Sequence, residues 1–322
     1  RWAAFAAWSR KHVPKFSTVE EAVHFAQMQH GFELRELRPS LHHTIPQYDS
    51  KIKQEFPHLA QYIPLFRDSS LSHPDTVIEF GGRPVSSMLY HLVRFFFVCL
   101  HYGRRPRRIC EIGGGYGTLA RVWLQNPIYD VDFYVIVDLP ESLYFAELFL
   151  RAELGYDSVH YVRHGDERLD ARDVPRAILC PLQFMDVLKN HTFDLAINTL
   201  SMQEMSEDWI EVYMRWLDEM KIPLFYSFNA FGVPIDKLNE NMNVFSPRLS
   251  RKWLLKLKRF PYDGLTAEII AERTNEDADG MVLEAHRNLY RLMQERYLDR
   301  NCYLELVDAI RYTREERMIM DV

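Results

Sequence analysis

Arg108-Ile109-Cys110-Glu111-Ile112-Gly113-Gly114-Gly115-Tyr116-Gly117 is the stretch on which the reading of this chain turns. A short apolar run holding one carboxylate, Glu111, passes straight into a glycine-rich turn. The residues after it, Thr118-Leu119-Ala120-Arg121-Val122-Trp123-Leu124, have helical apolar spacing. Strand, tight turn, helix is the geometry that offers a helix N-terminus and free backbone N–H groups to a ligand. Glycines suit it because the backbone turns sharply and a ligand can approach without a Cβ in the way. Counted from Gly113, the third glycine of a dinucleotide fingerprint would fall at Thr118. A phosphate loop needs G-K-[ST], and this turn has no lysine. What stands there is Glu-x-Gly-x-Gly-x-Gly, from Glu111 through Gly113, Gly115 and Gly117.

A second strand supports a nucleotide-like ligand. Tyr134-Val135-Ile136-Val137-Asp138-Leu139-Pro140 is apolar, ends in a carboxylate and places Pro140 at a helix start. In doubly wound nucleotide-binding folds an acid at the end of the second strand takes the ribose hydroxyls, about 20 residues past the glycine turn. Asp138 stands 25 positions past Gly113. It is the expected ribose ligand, and it can also cap the following helix.

The glycine turn resembles motif I of the class I S-adenosylmethionine (SAM) methyltransferases. Four segments in order carry a narrower resemblance: Glu-Ile-Gly-Gly-Gly-Tyr-Gly (111–117), Val-Asp-Leu-Pro-Glu (137–141), Ile-Asn-Thr-Leu-Ser-Met-Gln-Glu-Met (197–205) and Phe-Tyr-Ser-Phe-Asn (225–229). Together they are similar to the sugar O-methyltransferase family typified by the nanchangmycin deoxysugar methyltransferase, over about 107–230. The resemblance implies an α/β, doubly wound, Rossmann-like class I methyltransferase sheet, SAM as cofactor and a sugar or glycan hydroxyl as acceptor. It implies that Glu111 lies near the methionine-amine end of SAM, with Gly113, Gly115, Tyr116 and Gly117 passing beneath. Asp138 and Leu139 then belong to the ribose, and Gln183 and Phe184, in the loop after the third strand, to the adenine. Phe184 fits a plain core position equally well. Asn198 and Thr199, ending the fourth strand, should face the transferable methyl together with the residues that follow.

The rest of the chain is consistent with an enzyme of that kind. Its 322 residues allow a large core, and 47% hydrophobic with 26% charged residues is ordinary for a globular protein. A net charge of −6 argues against nucleic acid as partner. Cysteines at 99, 110, 180 and 302 show neither metal spacing nor disulfide density, which points to a reducing, cytoplasmic setting. The chain opens on Arg1, as a segment cut from a longer protein would, and nothing near it resembles a signal peptide. The apolar run Leu89–Leu100 is too short to span a bilayer and reads as a buried helix. No transmembrane segment is expected.

The expected organisation is a helical N-terminal cap over 1–104, a SAM-binding core over 105–275 and a C-terminal helical hairpin over 276–322. In the cap, Ser17-Thr18-Val19-Glu20 reads as a capping box based on Ser17 and Glu20. His42-His43 reads as a solvated loop pair, residues 76–85 as a β-hairpin, and Ser86 or Ser87 as the cap of the apolar helix. Residues 253–260 and 264–273 fit the antiparallel pair that closes methyltransferase sheets, although the second also fits a helix by spacing. Amphipathic segments at 281–298 and 302–318 form the hairpin, a docking element for a second subunit or a neighbouring domain.

Methyl transfer asks little of the protein beyond in-line positioning, because the sulfonium methyl is already electrophilic. A neutral sugar hydroxyl gains about 10²–10⁴-fold from a base. Glu204, beside Gln203 in the polar loop past the fourth strand, is the expected base. A carboxylate at a helix N-terminus is its structural alternative. His30, His42 and His43 are the next candidates. No cluster of acids flanks the fourth strand, so no metal is expected. Two other functions fit the same residues: a SAM enzyme with a non-sugar acceptor, and a SAM-binding module that docks a partner without turnover.

Overall fold

The computed structural model describes residues 11, 16–29, 38–73, 76–166, 175–230, 252–259 and 266–274. His30 and the segments 281–298 and 302–318 lie outside the described residues. The chain forms two compact units, residues 1–197 and 198–322. Compactness thus draws a different line from the functional boundaries expected at 104/105 and 275/276.

In the first unit, α1 (Val19–Gln29) begins with a variant of the expected capping box, shifted one residue, in which the acid takes the N–H of the residue before the cap. Thr18 Oγ1 accepts from the Glu21 N–H at 3.1 Å, and the Glu21 carboxylate accepts from the Ser17 N–H at 2.8 Å. The shift follows from which residue starts the helix: with Val19 at the first helical position, the residue before it becomes the cap and Glu21 the reciprocating acid. Ala22, Val23 and Ala26 form the buried stripe. α2 (Arg38–Glu55) carries Pro46 inside it and continues through His42-His43, so that pair is helical and exposed rather than in a loop.

β1 (Val77–Phe80) and β2 (Arg83–Ser86) make the expected hairpin, with Gly81 and Gly82 at φ 60° and 73° as a two-residue turn of that kind requires. Ser86 caps α3 (Ser87–His101): its Oγ accepts from the Leu89 N–H at 3.1 Å and donates to Asp68 at 2.8 Å. α3 is the expected buried helix, with Phe95, Phe96 and Phe97 all inside. Arg94 and His91 lie on the same helix. Arg94 reaches Glu55 at 2.7 Å, and His91 stands edge-on to Phe95 with ring centroids 4.4 Å apart. Burial, then the Arg94 charge, pushes the His91 imidazole down to about 3.

Next come β3 (Arg108–Ile112), α4 (Thr118–Leu124), β4 (Phe133–Asp138), α5 (Pro140–Leu154), β5 (Val159–Tyr161), β6 (Ala177–Pro181) and β7 (Leu195–Thr199). Within this unit the strands lie in the order β5-β6-β4-β3-β7, every pair parallel. The chain moves outward from β3 to β4, then returns to the other side of β3 as β7. This is the doubly wound, Rossmann-like α/β order, with its switch point at β3. β3, β4 and β6 are almost wholly buried, as strands covered on both faces must be, and their apolar composition follows from that. The register levels the strand ends: Ile112 lies opposite Val137, and Asp138 opposite Pro181.

The second unit starts with the last two residues of β7, Asn198 and Thr199. It contains α6 (Glu207–Glu219), β8 (Leu224–Ala230), β9 (Trp253–Arg259) and β10 (Thr266–Arg273). β10 lies between β8 and β9 and is antiparallel to both. The stretch that also fitted a helix is therefore a strand, because ladders on both sides satisfy its backbone groups. Asp218 ties the unit together: its Oδ1 accepts from Trp253 Nε1 at 2.8 Å and from Arg273 at 2.9 Å. No helix among the described residues is long and apolar enough to cross a membrane.

Candidate functional site

The glycine turn follows directly from the carboxyl end of β3. The Gly113 N–H donates to the Val137 carbonyl at 2.8 Å, which continues the sheet by one step. Gly113, Gly115 and Gly117 then have φ of 73°, 57° and 91°, a left-handed succession that side chains with a Cβ rarely adopt. The Gly115 N–H donates to Asp138 Oδ2 at 2.9 Å, and the Leu139 N–H to Asp138 Oδ1 at 2.7 Å. Each carboxylate oxygen thus takes one backbone donor and keeps a lone pair for another. Burial raises the Asp138 pKa to about 6 while those two N–H groups oppose the rise, so at neutral pH the group is mostly a half-buried anion. The Cβ-free main chain and the anion are built as one object.

Glu111 lies beneath the turn. Its side chain is 1% exposed, and Oε2 accepts from the Tyr134 hydroxyl at 3.0 Å. A Cβ on Gly114 would come within 2.7 Å of that oxygen and 2.8 Å of Ile136 Cγ2. Gly114 is therefore required by the buried carboxyl beneath it, a reason separate from ligand approach. Burial lifts the Glu111 pKa to about 8, against the pull of the Tyr134 hydrogen bond. At neutral pH Glu111 holds its proton.

The other candidates divide. Leu139 is half-buried at the start of α5. Gln183 is exposed and Phe184 half-buried in the 3-10 turn Leu182–Asn190 just past β6, so Phe184 is not a plain core residue. Tyr116 is 4% exposed, and its ring stands edge-on to Phe149 at 5.4 Å. It anchors the turn rather than lying open beside it.

In the second unit, Asn198 is fully buried. Its Oδ1 accepts from the Met202 N–H at 3.1 Å and from Asn229 Nδ2 at 2.9 Å. Asn229 Nδ2 also donates to Ser227 Oγ at 2.9 Å, and its Oδ1 accepts from the Gln203 N–H at 3.3 Å. These amides pin the short 3-10 turn Met202–Glu204 to the ends of β7 and β8. Gln203 is buried and Glu204 half-buried, while Thr199 is half-buried at the strand end. Leu200, between strand and turn, has φ 55°, and its N–H donates to the Phe228 carbonyl at 2.7 Å. Backbone strain of this sort persists only where the surroundings over-determine it, and it concentrates at functional turns. Among the described residues no group of three or more His, Cys, Asp or Glu could hold a metal, and His42 and His43 belong to no such group.

Sequence reasoning did not assign Tyr134, Ser227 or Asn229 to the site. The Phe-Tyr-Ser-Phe-Asn segment did signal the last two, since polar residues ending an otherwise apolar strand require partners. No family model matches the chain, and no curated protein matches it. Among solved structures, the methyltransferase domain of the bacterial protein CtHen1-C is similar at 12% identity, over 57% of this chain and 98% of that one, with a TM-score of 0.40. Magnesium protoporphyrin IX methyltransferase from Synechocystis PCC 6803, with bound SAH, is 10% identical over 57% and 84%, TM-score 0.38. An O-methyltransferase family protein from Burkholderia thailandensis is 14% identical over 53% and 52%, TM-score 0.36. All three are methyltransferases. The fold of this chain is read from its own strand order, and these likenesses assign no acceptor.

Proposed function

We propose that this chain is a SAM-dependent O-methyltransferase that acts on a sugar hydroxyl, in cytoplasmic synthesis of a glycan or glycoconjugate. The observation that carries the cofactor reading is Asp138. Its two oxygens are held by the Gly115 and Leu139 N–H groups and keep lone pairs for a pair of neighbouring hydroxyls, as a ribose presents. Gln183 and Phe184 flank the adenine in this reading, one exposed and polar, the other offering part of a ring. Bound SAM would supply an electrophilic sulfonium methyl. The sugar acceptor rests on the four-segment resemblance at 111–117, 137–141, 197–205 and 225–229.

Glu204 is the proposed general base. It is half-buried, and the amides of Asn198 and Asn229 fix the turn that carries it. A positioned base keeps its advantage only if it does not have to be ordered during the reaction. Gln203 is placed beside it through its own backbone bond to Asn229.

The test pairs calorimetry of SAH binding with transfer of radiolabelled methyl from SAM to a panel of glycans and nucleotide sugars. Wild type should bind SAH and label at least one glycan. Glu204→Gln should keep SAH affinity and melting temperature while turnover falls about 10²-fold or more. Absence of SAH binding would overturn the cofactor reading. Binding with labelling of non-sugar acceptors alone would overturn the sugar. Equal turnover in wild type and variant would move the base elsewhere, with His42 and His43 next.

A further inference from the structure

Of the four glycines between Gly113 and Gly117, three have a left-handed φ and Gly114 does not. What excludes a side chain at Gly114 is therefore space. A Cβ there would stand 2.7 Å from Glu111 Oε2 and 2.8 Å from Ile136 Cγ2. The carboxyl from β3 and the isoleucine from β4 make a floor, and the turn rests on it at Gly114. Glycine loses more conformational freedom on ordering than any other residue, so such a turn depends on contacts outside itself for its shape.

A glutamate side chain serves as a floor only if something holds it in one rotamer. The register of the sheet places that partner. In the parallel pair of β3 and β4, Ile109 lies opposite Tyr134 and Glu111 opposite Ile136. Side chains two apart along a strand share a face, so Tyr134 stands on the face of Glu111, two residues nearer the start of β4. Its hydroxyl reaches forward and donates to Glu111 Oε2 at 3.0 Å, the same oxygen that lies under Gly114. Both residues are buried, Tyr134 at 0% and Glu111 at 1% exposed, where an unmade hydrogen bond is costly. β4 also carries Asp138, which accepts from the Gly115 N–H. One strand thus holds the turn twice, directly at Gly115 and through Tyr134 and Glu111 at Gly114.

We propose that Tyr134 is a positioning residue for the cofactor turn, and that Glu111 supports that turn by its shape and its bond to the Tyr134 hydroxyl rather than by charge. The proton that Glu111 holds at neutral pH agrees with this role. Position 111 then requires a planar polar group of this length that accepts from Tyr134, and a glutamine amide oxygen meets the requirement. The proposal deepens the SAM reading above and rests on it for its binding arm.

The experiment compares Tyr134→Phe, Glu111→Ala and Glu111→Gln in the full chain by calorimetry of SAH binding. Tyr134→Phe should weaken affinity about three- to tenfold, the scale of one ordinary hydrogen bond. Glu111→Ala should weaken it at least as much, and Glu111→Gln should restore it to within about twofold of wild type. Hydrogen exchange without ligand is the second readout, at the Gly115 and Gly117 amides, which donate to Asp138 and to the Gly114 carbonyl. Both should exchange faster in Tyr134→Phe and Glu111→Ala, and at the wild-type rate in Glu111→Gln. Val23→Ala, in the buried stripe of α1, is the control: it should lower the melting temperature and leave affinity and turn exchange unchanged. Should Glu111→Ala fail to fold, the other two variants decide. Wild-type affinity or wild-type turn exchange in Tyr134→Phe would overturn the role of Tyr134. A loss in Glu111→Gln as large as that in Tyr134→Phe would make the charge the working part and overturn the floor. If wild type binds no SAH, the cofactor reading fails, and exchange alone decides whether Tyr134 orders the turn.

Discussion

Among the described residues, two other than glycine hold a left-handed backbone, Leu200 at φ 55° and Lys221 at φ 53°. They look alike in a dihedral list and differ in cause. Lys221 follows the end of α6, where the Ile222 N–H reaches back to the Leu217 carbonyl at 3.4 Å and Ile222 is buried. That is the usual helix ending, in which glycine normally occupies the left-handed position. Lys221 is exposed, so replacing it loses no packing. Lys221→Gly should therefore relieve about 1 kcal/mol of strain or more, less about 0.5–1 kcal/mol for glycine's freedom when unfolded. A slightly higher urea midpoint is expected, and an unchanged or lower one would reject the strain argument. Leu200 has no such helix-ending explanation. Its strain sits where the amides of Asn198 and Asn229 impose a turn, which is why it counts as a feature of the site.

Asp218 shows the elements disagreeing with local rules. A carboxylate in the last turn of α6 opposes the helix dipole, and that turn has no basic residue to offset it. The residue makes sense only through β9 and β10, whose Trp253 indole and Arg273 guanidinium both donate to its Oδ1. Arg273 also lies over the Trp253 ring, 5.8 Å from its centroid. Asp218→Ala should improve α6 as an isolated helix and yet destabilise the protein by about 1–3 kcal/mol, because it strands a buried indole N–H and removes the cation's acceptor. Chemical denaturation of the full chain measures this. A variant as stable as wild type would mean that the strands do not depend on the helix end. The same contrast explains what the sequence could disclose at this scale. Spacing revealed the strand–turn–helix at 108–124, the hairpin at 76–85 and the cap at Ser86, all short-range patterns. It left 264–273 open between strand and helix, because the deciding fact is pairing with β8 and β9, which periodicity does not encode.

At the scale of the whole chain, the motifs disclosed the winding order and the Asp138 anchor, since both depend on residues near the glycine turn. They did not disclose that Tyr134 meets Glu111. Apolar patterns say which residues are buried, not which buried polar groups find each other. The proton held by Glu111 has a consequence that no single element shows. Its carboxyl titrates at about 8 in the fold against 4.5 for the free group. The folded state therefore binds that proton more tightly, and its contribution to stability is complete below 4.5 and lost as pH rises toward 8. His91 works the other way: its imidazole falls to about 3 from 6.5, so its contribution is present above 6.5 and lost as pH drops toward 3. Each slope reaches at most about 1.4 kcal/mol per pH unit. Asp138, raised to about 6 from 3.8, adds a further fall with rising pH between those values, so of these three groups only Glu111 acts between 6.5 and 8. Denaturation free energies should fall between pH 6.5 and 8, and Glu111→Gln should abolish that alkaline fall. An alkaline limb identical in wild type and variant would show that the proton sits elsewhere. If the limb does disappear, one buried carboxyl beneath a glycine turn sets the alkaline limit of the range over which this protein keeps its shape.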